Sequence, residues 1–522
     1  PLFCFNSLII KQMALPDIRF TLSTNGLGRP LDGKDHYSSM VFYTAAYPSG
    51  FDGSNQIKKV FSLSDVEALG VVGDYSNETL ASGGNYAMSV TSAVDGDTVE
   101  FKVTSLGVTI SLGVVTFATG DTTSTLATKA RTAINALTST HGFVAAGASA
   151  NVLLTPPSGY GANLNGGSVL TAVVTGTITA PTTITQFSSG VNDPYIHIWY
   201  HAKRYFISQP NGVLWLGIFP TAGTLNFEEI TTIQNYAEGQ VRLFGIYQNT
   251  TNTAFATGQV TTLQGVADTN YNDHRPVDVI YTPNINGTAL SALADLSALT
   301  AKNVLVDIGQ DGDAEGNRLY VYLGKSIGTL GACLGTAAFA KVHENLGYVA
   351  KFNLAAKDTE FAVPAFSNGV KVRDQSTSLL NVLYAYHWTF IKKHIDYTGT
   401  YFVDAKTAIA NTSDYCTLEN NRTINKVIRN VRTSLMPQLN GPVYVDATSG
   451  KLTADTIGYL ESLANAPVEQ MEKDGELSGY KVIINPEQDV LSTGNLELTI
   501  QNVPVGVSRN INVNVGFVTK VS

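Results

Sequence analysis

Gly324, Ser326 and Gly328 have the spacing of a nucleophile elbow, a strand-to-helix turn that presents a serine hydroxyl for attack on an acyl carbon. The flanking residues suit it. Leu319-Tyr-Val-Tyr-Leu reads as a strand before the turn, and a helix reads after it. A hydrolase built on Ser326 also needs an acid and a histidine later in the chain. His343, His387 and His394 are available. However, His387 and His394 fall inside a predicted helix over 378–394, and His343 continues the helix after Ser326. The plainer reading is that Gly324 and Gly328 let strand, turn and helix pack closely, since five-residue patterns of this kind recur by chance. The same glycines do not make a phosphate loop, whose first glycine would stand at Leu319.

Two metal patterns begin and fail. His197 and His201 have the i, i+4 spacing of a zinc helix, but Ile198 stands where the catalytic glutamate belongs, so ordinary core or surface histidines are expected. Asp311-Gly-Asp-Ala-Glu-Gly starts like a calcium loop, but Tyr322 holds the twelfth position in place of a bidentate glutamate. It reads as an exposed turn. No metal and no cofactor is expected.

The remaining candidate chemistry is electrostatic. Over 418–435, Ile424, Val427, Ile428, Val431 and Leu435 recur at three and four residues and share one side of a helix. Arg422, Lys426 and Arg429 fall on the other side, with Arg432 at its edge. Such a stripe is ordinarily a solvated helix face.

Behind these residues stands a regular succession of elements. Helices predicted over 194–206, 227–237, 257–270 and 290–300 alternate with apolar strands over 213–219, 241–247, 277–281 and 304–308. That pattern indicates a buried, mostly parallel sheet. The long helix over 378–394 joins this α/β domain to the C-terminal one. From about residue 77 to 190 charge almost vanishes and Thr, Ser, Gly, Ala and Val dominate. Strands over 97–103, 108–112, 151–155 and 170–179 and a helix over 125–137 make this an inserted β-rich domain, too regular for a disordered linker. Near the N-terminus, Ile18, Phe20 and Leu22 alternate with polar residues as a lone strand. It is either the edge of its own domain or an addition to a partner's sheet.

The C-terminal third continues past Met436-Pro437 with a helix from Thr453 and a short strand, Lys481-Val-Ile-Ile. Leu496, Leu498 and Ile500 then alternate with polar residues, as do Ile511, Val513, Val515 and Phe517. A loop with Pro504 and Gly506 joins the two runs, so they read as a closing hairpin.

The 522 residues suffice for two to four domains. Only 14% are charged against 44% hydrophobic, a bias shared by β-rich particle proteins. The net charge of −9 argues against a nucleic-acid-binding chain. Cys4, Cys333 and Cys416 are far apart and odd in number, which fits a reducing cytosol better than a disulfide framework. No apolar run approaches the roughly 18 residues of a membrane span. Met13 looks like an ordinary start, so residues 1–12 are expected to come from an upstream start or from processing and to carry no function.

Asn420-Asn-Arg-Thr-Ile-Asn-Lys-Val-Ile-Arg-Asn-Val, Val443-Tyr-Val-Asp-Ala, the helix from Thr453 and the closing hairpin resemble, in that order, the C-terminal domain of contractile tail sheath proteins. Those proteins form the outer cylinder of contractile phage tails and related injection machines. The match covers roughly the last quarter of the chain well and the middle loosely, and rests on element order and terminal strands.

The resemblance implies a structural, non-enzymatic subunit that polymerises helically, as stacked hexameric rings, around an inner tube and contracts to drive it through a cell envelope. It implies terminal arms that exchange as strands between subunits, here Ile18, Phe20 and Leu22 together with Leu496, Leu498, Ile500, Ile511, Val513, Val515 and Phe517. It also implies an innermost C-terminal domain, which would turn Arg422, Lys426 and Arg429 toward the tube. The partners implied are further copies, the inner tail tube protein, and baseplate and tail terminator proteins, with no nucleic acid and no membrane insertion. The place implied is a virion tail or injection device assembled in the bacterial host cytoplasm. The expected fold is α+β and multidomain. It comprises an N-terminal arm (1–30), an α/β middle domain (31–76 and 191–375), the inserted β-rich domain at the surface (77–190) and a C-terminal α+β sheath domain (376–522). The alternatives are an α/β hydrolase using Ser326 and a non-contractile particle surface protein.

Overall fold

The computed structural model describes residues 33–90, 94–176, 183–221, 223–248 and 254–520, so the strand expected at Ile18, Phe20 and Leu22 lies outside the described residues. The fold is mixed α+β with several sheets. The largest has seven strands: β1 (Ser38–Thr44), β2 (Ile57–Val60), β3 (Leu214–Pro220), β4 (Leu243–Tyr247), β5 (Asp278–Thr282), β6 (Val304–Asp307) and β7 (Trp388–Thr389). Their order is β7-β6-β5-β4-β1-β3-β2, and every neighbouring pair is parallel except β2 with β3.

Both faces of this sheet are covered, which is why its strands read as unbroken apolar runs. Successive side chains of β1 go to opposite sides. Val41 and Tyr43 enter one core with Ile230, Ile233, Val260 and Leu263 from the helices Glu229–Tyr236 and Thr257–Asn272. Met40 and Phe42 enter the other with residues of α1 (Ile196–Ser208) and, beyond the short α2 (Glu315–Leu323), of α3 (Leu330–Phe339). Helices α1 and α3 cross at backbone distance. A Cβ on Gly331 would stand 2.0 Å from the His201 carbonyl oxygen, and one on Gly335 would stand 2.7 Å from that of Tyr205.

Residues 81–187 close a separate hydrophobic core. It lies between a three-stranded antiparallel sheet centred on Thr98–Ser105, a four-stranded sheet and the helix Thr123–Ala136. That helix opens on a capping box, Thr122 with Thr125, and buries Leu126, Ala127, Ala130 and Ile134 at helical spacing. Residues of this segment also bond α2: the Arg318 guanidinium donates to the Gly159 carbonyl at 3.2 Å, and the Asn163 side-chain amide donates to the Tyr322 carbonyl at 2.9 Å.

Several expected elements differ. Leu319–Leu323 is the end of helix α2, not a strand. Five apolar residues are ambiguous by periodicity, and the ends decide. The Asp311 carboxylate accepts the backbone N–H groups of Asp313, Ala314 and Asn317, closing the first turn, and Gly324 ends the helix in the left-handed region at φ 64°. Asp311 is therefore a buried cap and not an exposed turn. The helix expected over 290–300 is two 3₁₀ turns, Leu290–Ala292 and Leu296–Ala298, interrupted where Asp295 accepts the Ser297 N–H. The helix expected over 378–394 stops at Thr377–Ala385. His387 takes φ 65°, and the chain turns so that Trp388 is buried with its indole N–H on the Ala294 carbonyl at 2.9 Å. His394 then lies on a strand, Ile391–His394.

Candidate functional site

The context that a nucleophile elbow requires is absent around Ser326, which follows a helix. Its side chain is buried, and its Oγ accepts the Ile285 backbone N–H at 3.0 Å. Gln310 Oε1 accepts the N–H groups of Ile327 and Gly328, pinning the turn. The three histidines are engaged elsewhere: His387 with the Thr407 carbonyl and Asn411, His394 beside the Tyr401 ring, and His343 among Lys341, Glu344 and Lys351. His197 and His201 are buried in the sheet core and packed on the Phe42 and Tyr247 rings. Burial holds both imidazoles neutral, pushing His201 down to about 3. Among the described residues no group of three or more His, Cys, Asp or Glu is arranged to hold a metal ion.

The basic stripe does not face solvent. Helix α4 (Leu418–Leu435) forms where expected, with Val427 and Val431 buried. Its charged side is also enclosed. Arg422 is 4% exposed and donates to the carbonyls of Ala340 and Lys341 at 3.0 and 3.3 Å, capping the C-terminal end of α3. Lys426 Nζ lies 2.8 Å from both Asp35 and Glu476, and Arg429 Nη2 lies 3.0 Å from Asp35. Burial pushes the Asp35 carboxyl up, but Lys426 and Arg429 outweigh it and hold it below its ordinary range. Asp278 on β5 completes the cluster. It accepts from Asn303 and Asn425 at 2.9 and 3.0 Å, and burial pushes it up to about 6. A buried cation needs such partners, and here they come from residues 35, 278 and 476. The expectation of a tube-facing stripe at Arg422, Lys426 and Arg429 is thus corrected. These side chains join α4 to the end of α3, to Asp35 ahead of β1 and to Glu476.

The C-terminal ribbon differs from the expected hairpin. Helix α5 (Ala454–Lys473) and α4 support an antiparallel pair, β8 (Leu477–Ile484) and β9 (Leu498–Pro504), registered from Leu477 opposite Pro504 to Ile484 opposite Leu498. Val427, Val431, Ala464, Val468, Met471, Leu477 and Val482 form its core, with Leu498 and Ile500 packed against it. Leu496 packs beside Leu452 and Ile484. Residues 505–518 form no strand. Arg509 does not turn back on β9. It is held at Asp404, with Nε 2.9 Å from the carboxylate, and at Glu419. Beyond it, Ile511 is 81% exposed, Val513 73%, Val515 91%, and Phe517 is fully exposed. Sequence reading placed these four in a strand but missed Arg509, whose only signal is a charge amid an apolar alternation. The ribbon keeps both outer edges unpaired among the described residues.

Residues 414–522 match the family described as DUF2586, C-terminal domain. Among curated proteins none matches the chain. Among solved structures, the chain is similar to a protein of the anti-feeding prophage baseplate at 12% identity and TM-score 0.43, covering 63% of this chain and 84% of that one. It is similar to the anti-feeding prophage helical sheath in its contracted state at 14% identity and TM-score 0.43, covering 64% and 84%. It is also similar to a sheath tail protein from Desulfitobacterium hafniense at 8% identity and TM-score 0.36, covering 93% and 100%. These three solved structures are named for the anti-feeding prophage baseplate, its helical sheath and a sheath tail protein.

Proposed function

We propose that this chain is a structural subunit of a contractile tail or injection-device sheath, which polymerises around an inner tube through arms that add as strands to neighbouring copies. The observation that carries the reading is the C-terminal arm. Ile511, Val513, Val515 and Phe517 alternate as a strand would and lie exposed, without a strand partner among the described residues, and they follow in the chain a two-stranded ribbon with open edges. Leaving such apolar surface in water costs about 25 cal/mol per Å², and an unpaired alternating segment and an open edge are what strand addition joins.

In this reading Leu498 and Ile500 belong to the acceptor ribbon. Ile18, Phe20 and Leu22 supply a second arm, and residues 77–190 ride on the outer surface. The partners are further copies in stacked rings, the tube protein, and the proteins that begin and end the tail. Catalysis has no part in it, since Ser326 is buried and spent on a backbone N–H. The tube contact is not assigned to Arg422, Lys426 and Arg429, which are paired within the chain.

Negative-stain electron microscopy of the purified full-length chain, alone and with tube, tests this. Rings or hollow tubes are expected. A chain that stays monomeric at high concentration and does not coat tube would overturn it.

A further inference from the structure

The arm touches its own subunit at a built site. Asp404 and Glu419 are 3% and 2% exposed, and they sit close enough for one guanidinium to contact both. Their positions are set by residues outside the arm. The Asn345 side-chain amide donates to Asp404 at 2.6 Å and to Glu419 at 3.1 Å. The Tyr384 hydroxyl and the Ala405 N–H donate to Asp404 at 3.0 and 2.8 Å. Glu419 Oε2 is buried and has no hydrogen-bond donor among the described residues. Lys406, the nearby alternative cation, is turned over the Tyr384 ring, 3.9 Å from its centroid.

Two buried carboxylates in one site repel each other unless a cation lies between them. Among the described residues Arg509 makes the only ion pairs to either. Burial pushes both carboxyls up and Arg509 pulls both back. Asp404 ends below its ordinary range, and Glu419, almost wholly enclosed, stays above it. A guanidinium suits the site because its planar fork reaches two acceptors at once. The arm around Arg509 has no regular structure. Val505 and Val507 before it are half-buried, and the apolar residues beyond it are exposed. Arg509 makes the arm's only ion pairs among the described residues.

We propose that the Asp404–Glu419 pair is a docking site for Arg509 of a second copy of this chain, and that occupancy by the chain's own Arg509 is the parked form before assembly. The site is filled in both forms, so exchange sacrifices no buried ion pair, while the apolar residues beyond Arg509 gain a strand partner. This is the logic of swapping an identical element between copies, and it rests on the sheath-subunit reading above.

Full-length variants test it. Arg509→Ala alters only a part-exposed arm residue and should speed proteolytic cleavage within residues 505–520 about tenfold, as an arm more often released is cut more often. Arg509→Lys should fall between. Cleavage at the wild-type rate would show that no latch exists, whatever the protein assembles into. For exchange, Arg509→Ala is mixed with a chain carrying Asp404→Asn and Glu419→Gln, and native mass spectrometry reads the products. Each variant alone should stay monomeric. The mixture should yield a heterodimer, the intact arm of one in the intact site of the other. Equal amounts of homodimer and heterodimer, or no heterodimer, would overturn the exchange. Glu419→Gln alone serves in place of the double substitution if that chain does not fold. Faster cleavage and a heterodimer without tubes would keep the docking site and sink the sheath reading, whereas tubes with an unlatched arm would do the reverse.

Discussion

Arg429 Nη2 stands 3.0 Å from Asp35 Oδ1, tying a C-terminal helix to the residue just before the first strand, 394 positions earlier. Lys426 shares the same carboxylate at 2.8 Å. Removing one partner of an enclosed pair leaves the other charge uncompensated. Because these groups keep some solvent contact, Asp35→Ala is expected to lose about 3 kcal/mol in urea denaturation. Reversing Arg422, Lys426 and Arg429 together to glutamate should abolish soluble, folded protein by circular dichroism. A triple variant melting like wild type would show that the network contributes little.

Asp278 gives stability a pH dependence. Burial, only partly offset by Asn303 and Asn425, raises its carboxyl from 3.8 to about 6 in the folded chain. Between those values the native state binds more protons than the unfolded state, so this contribution is whole below about pH 4 and is lost as pH rises through 6. The loss is of order 3 kcal/mol. Asp278→Asn cannot titrate, so its stability relative to wild type should improve between pH 4 and 7. Denaturation curves at both ends measure it, and a gap independent of pH would contradict the account.

The crossing of α1 and α3 leaves no room for a methyl group. Gly331→Ala would press a Cβ to 2.0 Å from the His201 carbonyl oxygen, and a loss of about 3 kcal/mol is expected. Gly265, in the helix Thr257–Asn272, has nothing within 4 Å of its Cβ position, so Gly265→Ala should gain about 0.5–1 kcal/mol. Thermal melts of the two variants should shift in opposite directions.

The arm should matter to assembly and not to the monomer. Val513→Asp with Val515→Asp places charges at positions 73% and 91% exposed, where substitutions change stability by less than about 0.5 kcal/mol. The melting temperature should hold while sedimentation shows polymers lost. Polymers of normal size would remove the arm from the assembly mechanism.

Ser326 should behave as a structural hydroxyl. Ser326→Ala leaves the Ile285 N–H without its acceptor and should cost about 1–3 kcal/mol. A fluorophosphonate probe should leave the wild-type chain unlabelled. Labelling that disappears in the variant would restore the hydrolase reading.

Local pattern determined much of this protein. The parallel strands were legible because a sheet covered on both faces needs apolar residues at every position. Helix α4 was legible from Val427, Val431 and their neighbours at three and four residues. Tertiary structure decided whatever depended on residues distant in the chain. Leu319–Leu323 became helix because Asp311 and Gly324 cap it. The helix after residue 377 stopped because Trp388 found a place in the core. Arg422, Lys426 and Arg429 form a solvated stripe by periodicity alone, since helical spacing reports which residues share a face but not what lies opposite. Asp35, Glu476 and the end of α3 lie opposite, and no local pattern announces a partner 394 positions away. The alternation of Ile511 to Phe517 was likewise visible, but the pairing was not. Alternation marks a strand-forming segment without naming its neighbour, and in this chain β9 takes β8 while Arg509 holds the arm at Asp404 and Glu419.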